Sequence, residues 1–206
     1  MELSDVKRRL LQKYLQGDGQ RSRTGTGSIG RRPPGSLIPL SHEQQQIWLH
    51  SQLASDLPLY NELLTVRRTG LLDVPTLERS LSEIIRRHEA WRTTFDTVDG
   101  EPVQVILPPP TISLPLVDLR ELPEAEREPE ALRLATVEAR QPFDLASGPL
   151  LRAKLIRLSE AEHRLYVTLH QIIFDGVSAY SVFLPELVTL YGAFAAGKAS
   201  PLPEPP

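Results

Sequence analysis

The chain has 206 residues, 40% of them hydrophobic and 24% charged, which is ordinary globular usage and excludes wholesale disorder or a fibrous repeat. A formal net charge of -3, from 23 basic and 26 acidic side chains, leaves no global positive field for nucleic acid or an anionic bilayer. The absence of cysteine excludes disulfides, thiolate zinc sites and cysteine nucleophiles.

The N-terminal residues carry charges where a signal peptide needs an apolar core, and no run approaches the ~18 apolar residues of a membrane span. The expectation is a cytoplasmic protein with neither nucleic acid nor membrane as partner. Its 19 prolines are roughly twice the usual share. They gather before Ile38, at 108–110, and in the last six residues.

Residues 4–16 read as an amphipathic helix, capped at Ser4 or Asp5, with Val6, Leu10, Leu11, Tyr14 and Leu15 on one stripe. Gly17 ends it, so residues 1–17 read as an N-terminal helix. Residues 18–37 are rich in Gly, Ser, Thr and Arg and read as a flexible linker. Gly25, Gly27 and Gly30 have the spacing of a dinucleotide fingerprint, but no strand precedes them and Arg-Arg-Pro-Pro follows, so that reading fails.

The folded part is expected over 38–196. Ser41 and Gln44 form a capping box for a helix over 41–53. Residues 61–69 are strand-like. The pattern over 73–89 predicts a helix capped by Asp73, with Val74, Leu77, Leu81, Ile84, Ile85 and His88 inward. Strands over 91–97 and 103–107 flank the turn Asp99-Gly100, and an extended piece follows over 112–117. Residues 123–140 predict a helix restarted at Pro129 and closed by Pro142. Alternation over 150–158 and 164–172 predicts an antiparallel hairpin.

A last helix is predicted over 177–194, kinked at Pro185, with Val177, Phe183, Leu184, Leu187, Leu190, Tyr191 and Phe194 inward. The Pro-rich residues 197–206 read as a connector. The fold class is α/β, with helices packed on one mixed, mostly antiparallel sheet.

One segment is chemically suggestive. Residues 170–176 place His170, Gln171, Asp175 and Gly176 where a strand gives way to a helix. Gly176 is expected to let the backbone turn and a ligand approach. The bland alternative is a core histidine bonded to Asp175, with Asp175 capping the helix. His42, His50 and His163 lack partners at metal spacing and read as surface or capping residues.

Several segments, in order, resemble the N-terminal half of the condensation domain of nonribosomal peptide synthetases. Pro39-Leu40-Ser41 with Gln44, Trp48 and Leu53 is similar to the family's opening motif, and Tyr60-Asn61 to the start of its first strand. Residues 87–95 resemble Arg-His-Glu-x-Leu-Arg-Thr-x-Phe, with Trp91 in the leucine position. Residues 143–152 resemble another family segment, and 170–176 resemble the active-site signature His-His-x-x-x-Asp-Gly.

The resemblance implies a lobe like chloramphenicol acetyltransferase, one of two that enclose a tunnel. Phosphopantetheine arms of donor and acceptor carrier proteins would enter it, with no cofactor or metal bound directly. An acceptor amine attacks a donor thioester there, and the second histidine of the signature orients or deprotonates that amine. The aspartate is structural in the family, held by an arginine; Arg92 and Arg152 are both candidates here.

The chain departs from the family at two points. Gln171 stands where the second histidine belongs, and a carboxamide can hydrogen-bond an amine but cannot take its proton. The chain is also shorter than such domains, so it reads as an excised fragment or a lone lobe. Three readings follow: a degenerate lobe serving as scaffold or carrier-protein docking surface, an active acyltransferase completed by a second lobe, and a communication module in which residues 1–36 bind an upstream synthetase chain.

Overall fold

The computed structural model describes Gln12 and residues 36–205. The helix expected over 4–16, apart from Gln12, and most of the linker expected over 18–37 therefore lie outside the described residues. Short strand β1 (Ile38–Pro39) precedes helix α1 (His42–Leu53). The capping box is present: the Gln44 amide donates to Ser41 Oγ at 3.1 Å and the Ser41 amide to Gln44 Oε1 at 2.9 Å. Strand β2 (Asn61–Thr69) and helix α2 (Val74–Arg87) follow.

Along α2, Leu77, Leu81, Ile84 and Ile85 are buried as their spacing predicts, while His88 leaves the core and pairs with Glu186. Asp73 stands at the N-cap, but its carboxylate is held by the Thr76 hydroxyl instead of a backbone amide.

Strands β3 (Thr93–Val98) and β4 (Glu101–Ile106) pair across Asp99-Gly100. Both turn residues have positive φ, 52° and 84°, as a two-residue hairpin with the right twist requires. Strand β5 (Leu116–Asp118) is shorter than the extended piece expected. Helix α3 (Glu124–Ala139) runs through Pro129 without restarting. Packing outweighs the lost hydrogen bond: Ala131 and Ala135 are fully buried, and Arg127 ties the first turns to the carbonyls of Arg120, Leu122 and Leu158.

Strands β6 (Leu151–Ser159) and β7 (Glu162–His170) form the expected hairpin. A π-type stretch over Ser178–Phe183 leads into helix α4 (Leu184–Ala195). The wide turn is the local answer to Pro185, which cannot donate into the helical ladder. The neighbouring Leu184 amide reaches back five residues to the Ala179 carbonyl. Val177, expected inward, is 68% exposed.

The strands form two sheets, not the single mixed sheet expected. A three-stranded sheet runs β1-β4-β3 and a four-stranded one β2-β7-β6-β5, mixed because β5 joins β6 in parallel. The larger sheet separates two cores. Leu64, Leu165, Val167 and Leu169 pack with α1, α2 and α4, whereas Tyr166, Ile156 and Leu158 pack under α3.

Residues 198–205 carry neither helix nor strand, yet Leu202 packs on the main core and Arg87 donates to the Leu202 and Pro203 carbonyls. Arg87 is also paired with Glu186 at 3.3 Å. No helix among the described residues is long and apolar enough to cross a membrane.

Candidate active site

Central strand β7 delivers the motif. The His170 amide donates to the Leu150 carbonyl at 3.1 Å and the Gln171 amide to the Tyr60 carbonyl at 2.8 Å. A single 3-10 turn over Gln171–Ile173 then redirects the chain, and Gln44 Nε2 from α1 secures it at the Ile172 carbonyl, 3.1 Å away. Trp91 packs against Phe174 and edge-on against Phe183, with ring centroids 6.3 and 5.4 Å apart. The segment 87–95 and the segment 170–176 are thus adjoining parts of one site.

The strand ends at His170 and Gln171 opens the 3-10 turn, so the two signature positions lie in different elements. His170 is 5% exposed and stands between Tyr60 and Phe143, each with its ring centroid 6.0 Å away. Its Nδ1 accepts from the Ile172 amide at 3.3 Å, so the neutral ring carries its proton on Nε2. Burial pushes its pKa down to about 4. Gln171 is exposed, and its carboxamide has no hydrogen-bond partner among the described residues.

Asp175 is not bonded to His170. Its Oδ1 accepts from the Ser178 amide at 2.7 Å and from the Ser178 hydroxyl, which hold the carboxyl below its ordinary pKa. It therefore caps the first turn after the motif. Gly176 is not in the left-handed region, and a Cβ there would meet nothing within 4 Å. Its backbone does not require glycine; open space in front of it is what the structure offers.

Neither candidate arginine reaches Asp175. Arg92 donates to the Leu107 carbonyl and lies 3.7 Å from Glu89. Arg152 pairs with Glu138 at 2.7 Å, donates to the Glu138 and Gln141 carbonyls, and lies over the Phe143 ring at 3.7 Å. Arg152 supports the motif by another route, through Phe143 to His170. Sequence reasoning missed Phe143 as a site residue, although it opens the segment 143–152.

His163, expected at the surface, is 4% exposed with its pKa lowered by burial. Among the described residues no group of three or more acidic or histidine side chains is placed to hold a metal.

The second gathered loop explains the 143–152 segment. The Phe95 amide donates to the Leu145 carbonyl at 2.8 Å. Gly148 has φ 58°, and a Cβ there would stand 2.8 Å from Thr94 Cγ2, so only glycine fits.

The α/β lobe, with its signature at the end of a central strand, matches solved condensation domains, whose fold is of the chloramphenicol acetyltransferase type. The family model of the condensation domain matches residues 36–206, and the chain belongs to that family. It is 46% identical over 189 residues to chondramide synthase cmdD of Chondromyces crocatus, covering 89% of this chain and 5% of that protein. It is 50% identical over 167 residues to a linear gramicidin synthase of Brevibacillus parabrevis, covering 81% of this chain and 3% of that one.

Among solved structures, the starter condensation domain of rhizomide synthetase RzmA superposes with TM-score 0.75 at 27% identity, covering 82% of this chain and 40% of that one. The first condensation domain of the CDA synthetase gives TM-score 0.75 at 25% identity, covering 82% and 43%. The chain spans less than half the length of these solved domains and a few per cent of the two synthases.

Proposed function

We propose that the chain is the N-terminal lobe of a condensation domain in peptide natural-product synthesis, unable to condense by itself, and that it serves as a scaffold or docking surface for donor and acceptor carrier proteins. The observation that carries this reading is Gln171. It occupies the exposed position next to a buried, neutral His170, where the family signature has its second histidine.

An amine must be neutral to attack a thioester, and a carboxamide cannot accept the proton it sheds. His170 cannot substitute: it is buried, and its Nδ1 is engaged by the Ile172 amide. Loss of general base catalysis costs ~10² to 10⁴ in rate, so what remains is positioning. The phosphopantetheine arms belong to the carrier partners, and this lobe supplies one wall of their path.

The test is a condensation assay with loaded donor and acceptor carrier proteins and the complete two-lobe protein. The expected result is no amide above background with Gln171, and amide formation with Gln171→His. Product that forms with Gln171 and vanishes in Gln171→Ala would overturn the reading in favour of an active acyltransferase in which the carboxamide orients the amine.

A further inference from the structure

Beside the motif lies a cleft of about 360 Å³ lined in part by Leu57, Asn61, Phe143, Asp144 and His170. Asn61 and His170 are direct partners in the β2–β7 register, so their side chains share one sheet face. They do not hydrogen-bond each other. The Asn61 amide nitrogen is fully used, donating to the Ala139 and Gln141 carbonyls at 2.8 and 2.7 Å. Its Oδ1 is buried without a partner.

On His170, Nδ1 is engaged by the Ile172 amide, which leaves the Nε2 proton without a partner among the described residues. A buried acceptor and the donor of a buried histidine thus stand side by side on a cleft whose other walls include Phe143 and Leu57. Leaving such groups unpaired is costly. Asp144 is the charged group of the lining, and its oxygens are occupied by the Ala146 and Ser147 amides and the Ser147 hydroxyl. Its negative charge disfavours an anion.

We propose that this cleft binds a neutral secondary amide, the unit of a peptide backbone, whose N–H donates to Asn61 Oδ1 and whose carbonyl accepts from His170 Nε2. The inference concerns this cleft, whose lining does not include Gln171, and does not depend on whether the lobe condenses anything. One donor and one acceptor, adjacent and uncharged, match the two polar atoms of such an amide and leave its substituents to Leu57 and Phe143.

The test is imidazole ¹⁵N NMR of His170 during titration with N-methylacetamide, and with N,N-dimethylacetamide, which lacks the N–H. A saturable shift of Nε2 is expected with the first. Binding of the second should be weaker by at least about fivefold, the worth of one hydrogen bond. Leu57→Trp, at a site 58% exposed on the cleft rim, should abolish the shift while leaving resonances elsewhere unchanged. No saturable shift would mean that the cleft holds water only and would overturn the proposal. Equal binding of the two amides, or a shift that survives Leu57→Trp, would overturn it as well.

Discussion

The guanidinium of Arg152 lies 3.7 Å above the ring of Phe143, and that ring in turn meets His170 edge-on. The same guanidinium closes the C-terminal end of α3 through three carbonyls, those of Glu138, Gln141 and Pro142. Arg152→Ala should destabilise the protein by about 2–3 kcal/mol, from the lost carbonyl bonds and ring contact. Arg152→Lys should recover little of this, because an ammonium cannot reproduce a planar fork. Urea unfolding of both variants measures it, and full recovery in the lysine variant would contradict the stacking role.

His170 makes stability depend on pH. Its pKa falls from 6.5 to about 4 on folding because burial disfavours the charged ring. The unfolded chain then binds more protons between these values, so stability rises with pH across that window and is lost as pH falls from 6.5 toward 4. At about 1.36 kcal/mol per unit, the full effect is about 3 kcal/mol. Urea midpoints should drop between about pH 7.5 and about pH 5 in the parent protein. His170→Gln should flatten that dependence, apart from the smaller contribution in the same direction from buried His163.

Gly148 and Thr94 form a contact that admits no extra atom. Gly148→Ala should cost about 1–3 kcal/mol, from a left-handed residue gaining a side chain and from the clash with Thr94 Cγ2. Thr94→Ser removes the clashing methyl, so the double variant should regain the clash share and keep the backbone share. A double-mutant cycle with strict additivity would show that the two residues do not meet.

Arg87 holds α2, α4 and the Pro-rich tail together. Its side chain is 3% exposed and its partner Glu186 15%, and it also donates to the carbonyls of Leu202 and Pro203. Arg87→Met should destabilise by about 3 kcal/mol by leaving Glu186 and two carbonyls without their donor, although His88 still touches Glu186. Limited proteolysis should cut after Lys198 faster in the variant. Unchanged cleavage would show that the tail is held by Leu202 alone.

Val177, Tyr180 and Val188 are 68%, 66% and 72% exposed along the segment that follows the motif. Apolar side chains gathered in this way mark an interaction surface. Light scattering at high concentration should detect self-association that Tyr180→Glu with Val188→Asp reduces. A clean monomer in the parent protein would refute the expectation.

Much of this fold was legible because its elements obey local rules. The capping box at Ser41 and the Asp99-Gly100 turn each satisfy their own hydrogen bonds or dihedrals, so a few residues define them. The 3.6-residue stripe of α2 is as plain. Sheet membership is different: alternation tells which side of a strand is buried but not which neighbour it pairs with, and β3 and β4 therefore looked like parts of one sheet with β6 and β7. Likewise Pro129 reads as a breaker until Ala131 and Ala135 are seen pressed against the strands. The position of the motif could be read from residues 170–176, but Asp175 takes Ser178 three residues away instead of a distant arginine. Pairing across long separations leaves no mark in spacing.

The ladder around β7 continues through the backbone of Gln171, while the side chain at that position is exposed and makes no hydrogen bond among the described residues. Folding is therefore blind to which residue stands there. A histidine could be exchanged for glutamine at this position, or restored, with no compensating change elsewhere in the fold.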